Sequence, residues 1–124
     1  MNENLVSYTF SVTDATEGNA MSTTEFHFMV PFGATLVYAS AAPQDDDATL
    51  TVDINNLTAT STLVTAIDAS DKDVPGEWIS THFGGTETPV QIAAGSILNL
   101  DFNTATAANR VDVQMLFLQG STWG

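Results

Sequence analysis

The sequence has no cysteine and only two basic residues, Lys72 and Arg110. Without cysteine the fold can contain neither a disulfide framework nor a thiolate metal ligand. The two basic residues stand against 15 acidic residues, which gives a formal net charge of -13. Because nucleic acids and anionic membranes attract basic surfaces, this charge argues against both as partners. It is typical of a highly soluble surface, or of one that attracts a basic partner or cations.

Long apolar runs are also missing, since no segment approaches the roughly 18 apolar residues that span a membrane. The first residues, Met1 to Asn4, lack the basic and apolar regions of a secretion signal. The length of 124 residues is near the commonest size of a single domain. We therefore expect one domain over residues 1–124, with 1–5 and 119–124 as candidate extended arms.

The most regular feature of the sequence is the alternation of apolar and polar residues, which is typical of half-buried strands. One sheet alone would leave its apolar face in water, so two sheets must pack together or one must close on itself. This predicts an all-β fold, an antiparallel β-sandwich, and most specifically an eight-stranded jelly roll. The eight runs cover residues 6–12, 26–30, 36–38, 50–54, 63–67, 90–92, 98–102 and 111–118.

The last run becomes apolar on both faces at its end, where Met115, Leu116, Phe117 and Leu118 follow one another. Strands that are apolar on both faces lie in the centre of a sheet or at an interface. The sequence therefore predicts that this strand is either central or part of a contact with another subunit.

A long polar connection, residues 68–89, interrupts the alternation. Connections of this length in compact domains are usually functional or mobile. Four of its carboxylates are spaced so that a loop could wrap around a calcium ion, although the EF-hand ligand spacing is absent and Lys72 would oppose a cation. We therefore predict no cofactor and keep this set as a weak calcium candidate: Asp68, Asp71, Asp73 and Glu77.

Catalytic groups are few. His27 and His82 are the only histidines, and no Gly-x-Ser-x-Gly motif accompanies them. Asp53, Asp101 and Asp112 fall on the polar sides of their runs, where we expect solvated carboxylates rather than a buried general acid. The sequence therefore predicts that the protein is not an enzyme.

Trp78 and Trp123 do not belong to the alternating runs. An exposed tryptophan can stack on a sugar or anchor a protein contact, whereas a buried one can close the end of a sandwich. Both interpretations stay open for Trp78 and Trp123. Trp123, one residue from the end of the sequence, is harder to bury within its own domain, and the tail that carries it could anchor on a neighbouring subunit.

Four segments together resemble small structural proteins of tailed bacteriophages, namely capsid decoration (cement) proteins and jelly-roll proteins of the head. The segments are GATLVYAS at 33–40, LTVDIN at 50–55, IAAGSILNLDF at 92–102 and RVDVQMLF at 110–117. The resemblance is a pattern over about two thirds of the chain. One departure is the Asn55-Asn56-Leu57 turn, where Asn-Gly is more usual.

The resemblance implies a non-enzymatic virion protein, made in the host cytoplasm, that binds the major capsid protein on the outer capsid surface, often as a trimer. It implies no cofactor, no nucleic acid and no membrane. Apolar residues near the two ends of the sequence are the expected partner interface: Leu5, Val6, Met115, Leu116, Leu118 and Trp123. The alternatives are a phage tail, fibre or head-spike module, and a glycan-binding β-sandwich module that stacks sugars on Trp78 and Trp123.

Overall fold

The computed structural model describes residues 4–13, 25–44, 49–69, 77–78, 91–103 and 110–120. All the regular elements among these residues are β-strands, and none of the described segments is a helix that could cross a membrane. The strands are β1 (Asn4–Thr13), β2 (Glu25–Val30), β3 (Ala34–Pro43), β4 (Thr51–Asn56), β5 (Ser61–Asp68), β6 (Glu77–Trp78), β7 (Ser96–Asn103) and β8 (Arg110–Gln119).

The strands form two antiparallel sheets. Sheet A has the order β1-β8-β3-β6, and sheet B has the order β2-β7-β4-β5. The short β6 pairs only with Tyr38 and Ala39 of β3. β8 lies between β1 and β3, so its two apolar faces belong to a central strand, as expected. The prediction of an all-β fold with two antiparallel sheets is confirmed.

The strand pairs are nested along the chain. β1 pairs with β8, β2 with β7, β3 with β6, and β4 with β5. Only the last of these pairs joins neighbouring strands, through the turn at 57–60. Most of the ladder contacts therefore connect residues that are far apart in the sequence. Such pairings are entropically costly to close, so the buried side chains must supply the compensating free energy.

The core lies between the two sheets, because buried residues from both form a single cluster. Strand alternation directs every second side chain of each strand into this space. Phe102 of β7 and Phe117 of β8 are the largest fully buried side chains. Burial of one such side chain stabilises the fold by about 1.5–3 kcal/mol. The side chains that point into the core are the apolar residues of the alternating sequence pattern.

Two details of the predicted strands are wrong. The run at 90–92 is not a strand in its described part, because Ile92 makes only an isolated bridge to Ala34. The sixth strand is instead Glu77–Trp78, inside the segment expected to be a long connection. Its two residues are too few for alternation to be visible. The predicted turn at Asn55 and Asn56 is also displaced, since both residues belong to β4.

The turn that follows β4 spans residues 57–60. Its geometry depends on Asn56, whose Oδ1 accepts a hydrogen bond from the Ala59 amide at 3.1 Å. Such a bond from an asparagine side chain to the backbone ahead of it stabilises turns. Asn56 is itself buried at the end of β4, so its side chain holds the start of the turn from within the fold.

Candidate functional site

The predicted partner residues of β1 and β8 are divided between the two faces of sheet A. Val6 pairs with Phe117, and Met115 pairs with Tyr8, at the positions that face the core. Met115 is fully buried within its own chain. Val6 is half-buried on that same inner side. Alternation thus places these two residues on the inner face of sheet A, and their role in a partner interface stays a prediction.

The other three residues, Leu5, Leu116 and Leu118, lie together on the outer face of sheet A; we call them the apolar end. Leu5 is directly opposite Leu118, and Leu118 is opposite Thr35 of β3. Leu5 is 55% exposed, Leu116 is half-buried, and Leu118 is buried. Three residues that the sequence assigned to one interface are therefore neighbours in the β1-β8 ladder.

The apolar end stops within two residue pairs along the same face. Gln114 lies between Thr9 and Ser40, and Asp112 follows it with its carboxylate 3.7 Å from the Arg110 guanidinium. The outer face of sheet A is therefore apolar at one end and polar at the other. One buried polar group, the Thr35 hydroxyl, borders the apolar end. It has no hydrogen-bond partner.

The arms and the tryptophans can be placed only in part. Asn4, Leu5 and Gln119 are already paired in the β1-β8 ladder, so these parts of the candidate arms are strand. Trp123 lies outside the described residues. Trp78 is described only as a backbone position in β6. The predicted sugar stacking on Trp78 and Trp123 stays a prediction.

The calcium candidate also falls mostly outside the described residues. Asp68 is the exposed last residue of β5, Glu77 is described as a backbone position in β6, and Asp71 and Asp73 are not described. Within the described ranges, no group of three or more acidic, histidine or cysteine side chains could hold a metal ion. The set at 68–77 stays a weak prediction.

Sheet B carries a row of three carboxylates on its outer face, which we call the carboxylate row. Asp101 of β7 is directly opposite Glu25 of β2 on one side and directly opposite Asp53 of β4 on the other. Side chains that are directly opposite across antiparallel strands have Cβ atoms about 4.5–5.5 Å apart. The row therefore concentrates three negative charges across three neighbouring strands.

The row has polar neighbours. The His27 Nε2 is 3.9 Å from Glu25 Oε1, and both side chains are about half exposed. The Asn99 carboxamide donates from Nδ2 to Glu25 Oε1 at 2.8 Å. The Asp53 Oδ1 accepts a hydrogen bond from the Ala66 amide at 2.7 Å. His27 faces outward between two inward phenylalanines, as the alternation predicts.

Asp101 corrects the expectation that these strand aspartates are solvated. Its carboxyl is partly withdrawn from water, and this desolvation raises its pKa above the ordinary value of 3.8. The charges of Glu25 and Asp53 raise the pKa further in the same direction. Both effects disfavour the ionised form. The sequence correctly placed Asp101 on the polar side of its strand. It could not show that Glu25 and Asp53 lie beside it, because that depends on strand order and register.

A third feature is an open groove of about 460 Å³ along the edge where β1 and β2 lie. Aromatic rings of the two strands pack beside it, with the Phe10 ring centroid 4.7 Å from that of Phe26 and 4.8 Å from that of Phe28. These rings are only half-buried. The lining residues are Ser7, Tyr8, Thr9, Phe10, Phe28, Met29 and Pro31.

Comparison with known proteins adds no relative to these observations. The chain matches no protein-family model, no curated protein and no solved structure. The function must therefore be inferred from the two outer faces of the sheets.

Proposed function

We propose that the chain is a non-enzymatic structural protein of a phage particle, which binds the major capsid protein on the outer capsid surface and stabilises the shell. The observation that carries this proposal is the apolar end of sheet A. Leu5, Leu116 and Leu118 are neighbours on the outer face of sheet A, where Leu5 is 55% exposed, Leu116 is half-buried and Leu118 lies buried beneath the surface. An exposed apolar patch surrounded by polar residues is typical of a protein contact.

The topology supports the same proposal. We propose that the two sheets form an eight-stranded jelly roll, with β6 as its shortest strand. The supporting observation is the nested pairing, first strand with last and then inward to β4 with β5, divided into the orders β1-β8-β3-β6 and β2-β7-β4-β5. This order is that of a long antiparallel ribbon wound into two sheets, as in the jelly rolls of capsid proteins.

The charge and the size of the patch fit a surface role on a lattice. A net charge of -13 keeps the protein away from packaged nucleic acid and favours an outer position. One small apolar patch gives a weak contact, at about 25 cal/mol per Å² of buried apolar area before the costs of association. Copies that assemble as trimers, the state we propose, would engage several sites at once and gain avidity.

The proposal is tested first on purified particles. Quantitative mass spectrometry would count this chain against the major shell protein. We expect a ratio near one or a fixed simple fraction of one, because a decoration protein occupies equivalent lattice positions. A few copies per particle would indicate the tail or fibre alternative, and absence from particles would contradict the proposal.

The contact itself is tested with two matched variants. Leu5→Ser and Met29→Ser change side chains of nearly equal exposure, 55% and 54%, on different sheets. We expect Leu5→Ser to weaken binding to undecorated particles about five- to tenfold, because it removes apolar contact area. Met29→Ser should bind like the unaltered chain. Equal binding by both variants would remove the apolar end from the interface.

The tail around Trp123 is tested separately. Deletion of residues 121–124 removes Trp123 and leaves the described end of β8 intact. We expect this deletion to lower occupancy on particles and to weaken trimer formation in sedimentation velocity. Unchanged occupancy and sedimentation would exclude a role for Trp123 in either contact.

A further inference from the structure

The carboxylate row is unusual because like charges lie directly opposite one another on two successive strand pairs. Glu25 faces Asp101, and Asp101 faces Asp53. Like charges at directly opposite positions destabilise a sheet. The exposed face of β7 could carry a neutral residue at position 101 without disturbing the core. A function that needs the charge is one reason for a sheet to carry this cost.

The chain's own basic residues do not neutralise the row in the described structure. Arg110 lies on the outer face of sheet A, where its guanidinium is 3.7 Å from the Asp112 carboxylate. Lys72 lies outside the described residues. His27 is beside Glu25 at 3.9 Å, but a histidine is charged only when it is protonated.

Asn99 provides an independent observation at the same place. It is only 3% exposed, and its Oδ1 has no hydrogen-bond partner. Its Nδ2 donates to Glu25 Oε1 at 2.8 Å. Because the two polar atoms of a carboxamide share one carbon, Oδ1 lies within about 5 Å of that carboxylate oxygen. A buried acceptor without a donor is costly, so this atom marks a position where a donor would be stabilising.

We infer that the carboxylate row and the Asn99 carbonyl oxygen bind an arginine or lysine side chain of a partner protein. Carboxylate and carbonyl oxygens accept hydrogen bonds, so the matching ligand carries several donors and a positive charge. Arginine fits best, because its planar guanidinium has five N–H donors that can bridge two carboxylates. The His27 and Glu25 side chains are 54% and 56% exposed, so a cationic side chain can approach this end of the row from solvent.

A protein cation fits this surface better than a metal ion. Among the described residues, no three carboxylate or imidazole groups could hold a metal. The acceptors are spread along a line across β2, β7 and β4 and do not converge on one point. A guanidinium or an ammonium group needs no closed coordination shell. The inference does not depend on whether the partner belongs to a virus shell.

The test is a titration of the ¹⁵N-labelled full chain, followed by NMR, with the peptide acetyl-Arg-Gly-Arg-amide. We expect saturable shifts of the Asn99 side-chain amide and of the His27 ring. The peptide acetyl-citrulline-Gly-citrulline-amide has the same shape without the charge and should produce no saturable shift. Asp101→Asn should weaken the arginine peptide about tenfold, because it removes one charge-assisted acceptor.

Asp112→Asn is the matched control, since it removes the same charge from the outer face of the other sheet. Its effect on the dissociation constant should stay within about twofold, the size of a long-range charge effect in salt. An equal loss in Asp101→Asn and Asp112→Asn would overturn the inference, because it would show attraction by net charge alone. Saturation of the same signals by calcium or by a neutral oligosaccharide, without a response to the arginine peptide, would also overturn it.

Discussion

Sheet A and sheet B present alternate apolar side chains to one shared core, but their outer faces have different chemistry. Sheet A ends in the three leucines of the apolar end, and sheet B carries three carboxylates in one row. In a strand the outward positions can vary without changing the inward ones. The alternation of side chains with period two therefore specifies the core, and it leaves the chemistry of the outer faces free to differ between the two sheets.

The largest expected effect on stability comes from a substitution at an inward position of sheet A, compared with one at an outward position of the same sheet. Phe117→Ala should lower the free energy of unfolding by about 3–5 kcal/mol, because it leaves a cavity under a fully buried ring. Leu5→Ala, on the outer face, should change it by no more than about 0.5 kcal/mol. Urea unfolding followed by circular dichroism measures both. A large loss in Leu5→Ala would mean that the Leu5 side chain packs against the rest of its own chain.

An intermediate effect is expected from the carboxylate row. Asp101→Asn should raise the free energy of unfolding at pH 7 by about 0.5–1 kcal/mol, because it removes the like-charge contacts with Glu25 and Asp53. The measurement is urea unfolding of the two proteins side by side. A destabilised variant would show that the ionised carboxylate is needed by the fold.

The pH dependence of the same difference has a definite sign. The pKa of Asp101 is raised in the folded state, so below neutral pH the folded chain binds this proton more readily than the unfolded chain. The penalty from ionised Asp101 therefore declines as the pH falls through the raised pKa, and is relieved near the ordinary value of 3.8. The advantage of Asp101→Asn should shrink over this window. An advantage that is constant with pH would contradict the raised pKa.

The smallest effect on stability is expected at Ala66, whose backbone amide is hydrogen-bonded to Asp53 of the carboxylate row. Ala66 has a φ of 57°, a left-handed conformation that glycine adopts more easily, and its amide donates to Asp53 Oδ1. Ala66→Gly should therefore raise the melting temperature slightly, with a gain of at most about 1 kcal/mol. Ala39→Gly, at a fully buried position of β3, should lower it. Loss of stability in both variants would show that chain entropy outweighs the relief of strain.

Much of the fold could be predicted from local pattern, because alternation with period two records which side of a strand is buried. Seven of the predicted runs correspond to strands, and the inward residues Val52, Leu98 and Phe102 are buried as their positions indicate. The same pattern correctly placed His27 and Asp53 on outer faces. It could not reveal β6, since two residues contain no period.

What the tertiary structure alone decided is which outward residues become neighbours. Glu25, Asp53 and Asp101 are far apart in the sequence and meet only because β2 and β4 both pair with β7 in one register. In the same way, the β1-β8 register separates Met115 from Leu116 and joins Leu116 and Leu118 to Leu5. Composition and alternation by themselves determined that the chain is acidic and all-β, and that its last strand is apolar on both faces. The sites had to wait for the register, because long-range pairing depends on the total burial of the folded chain and leaves no mark in any short segment.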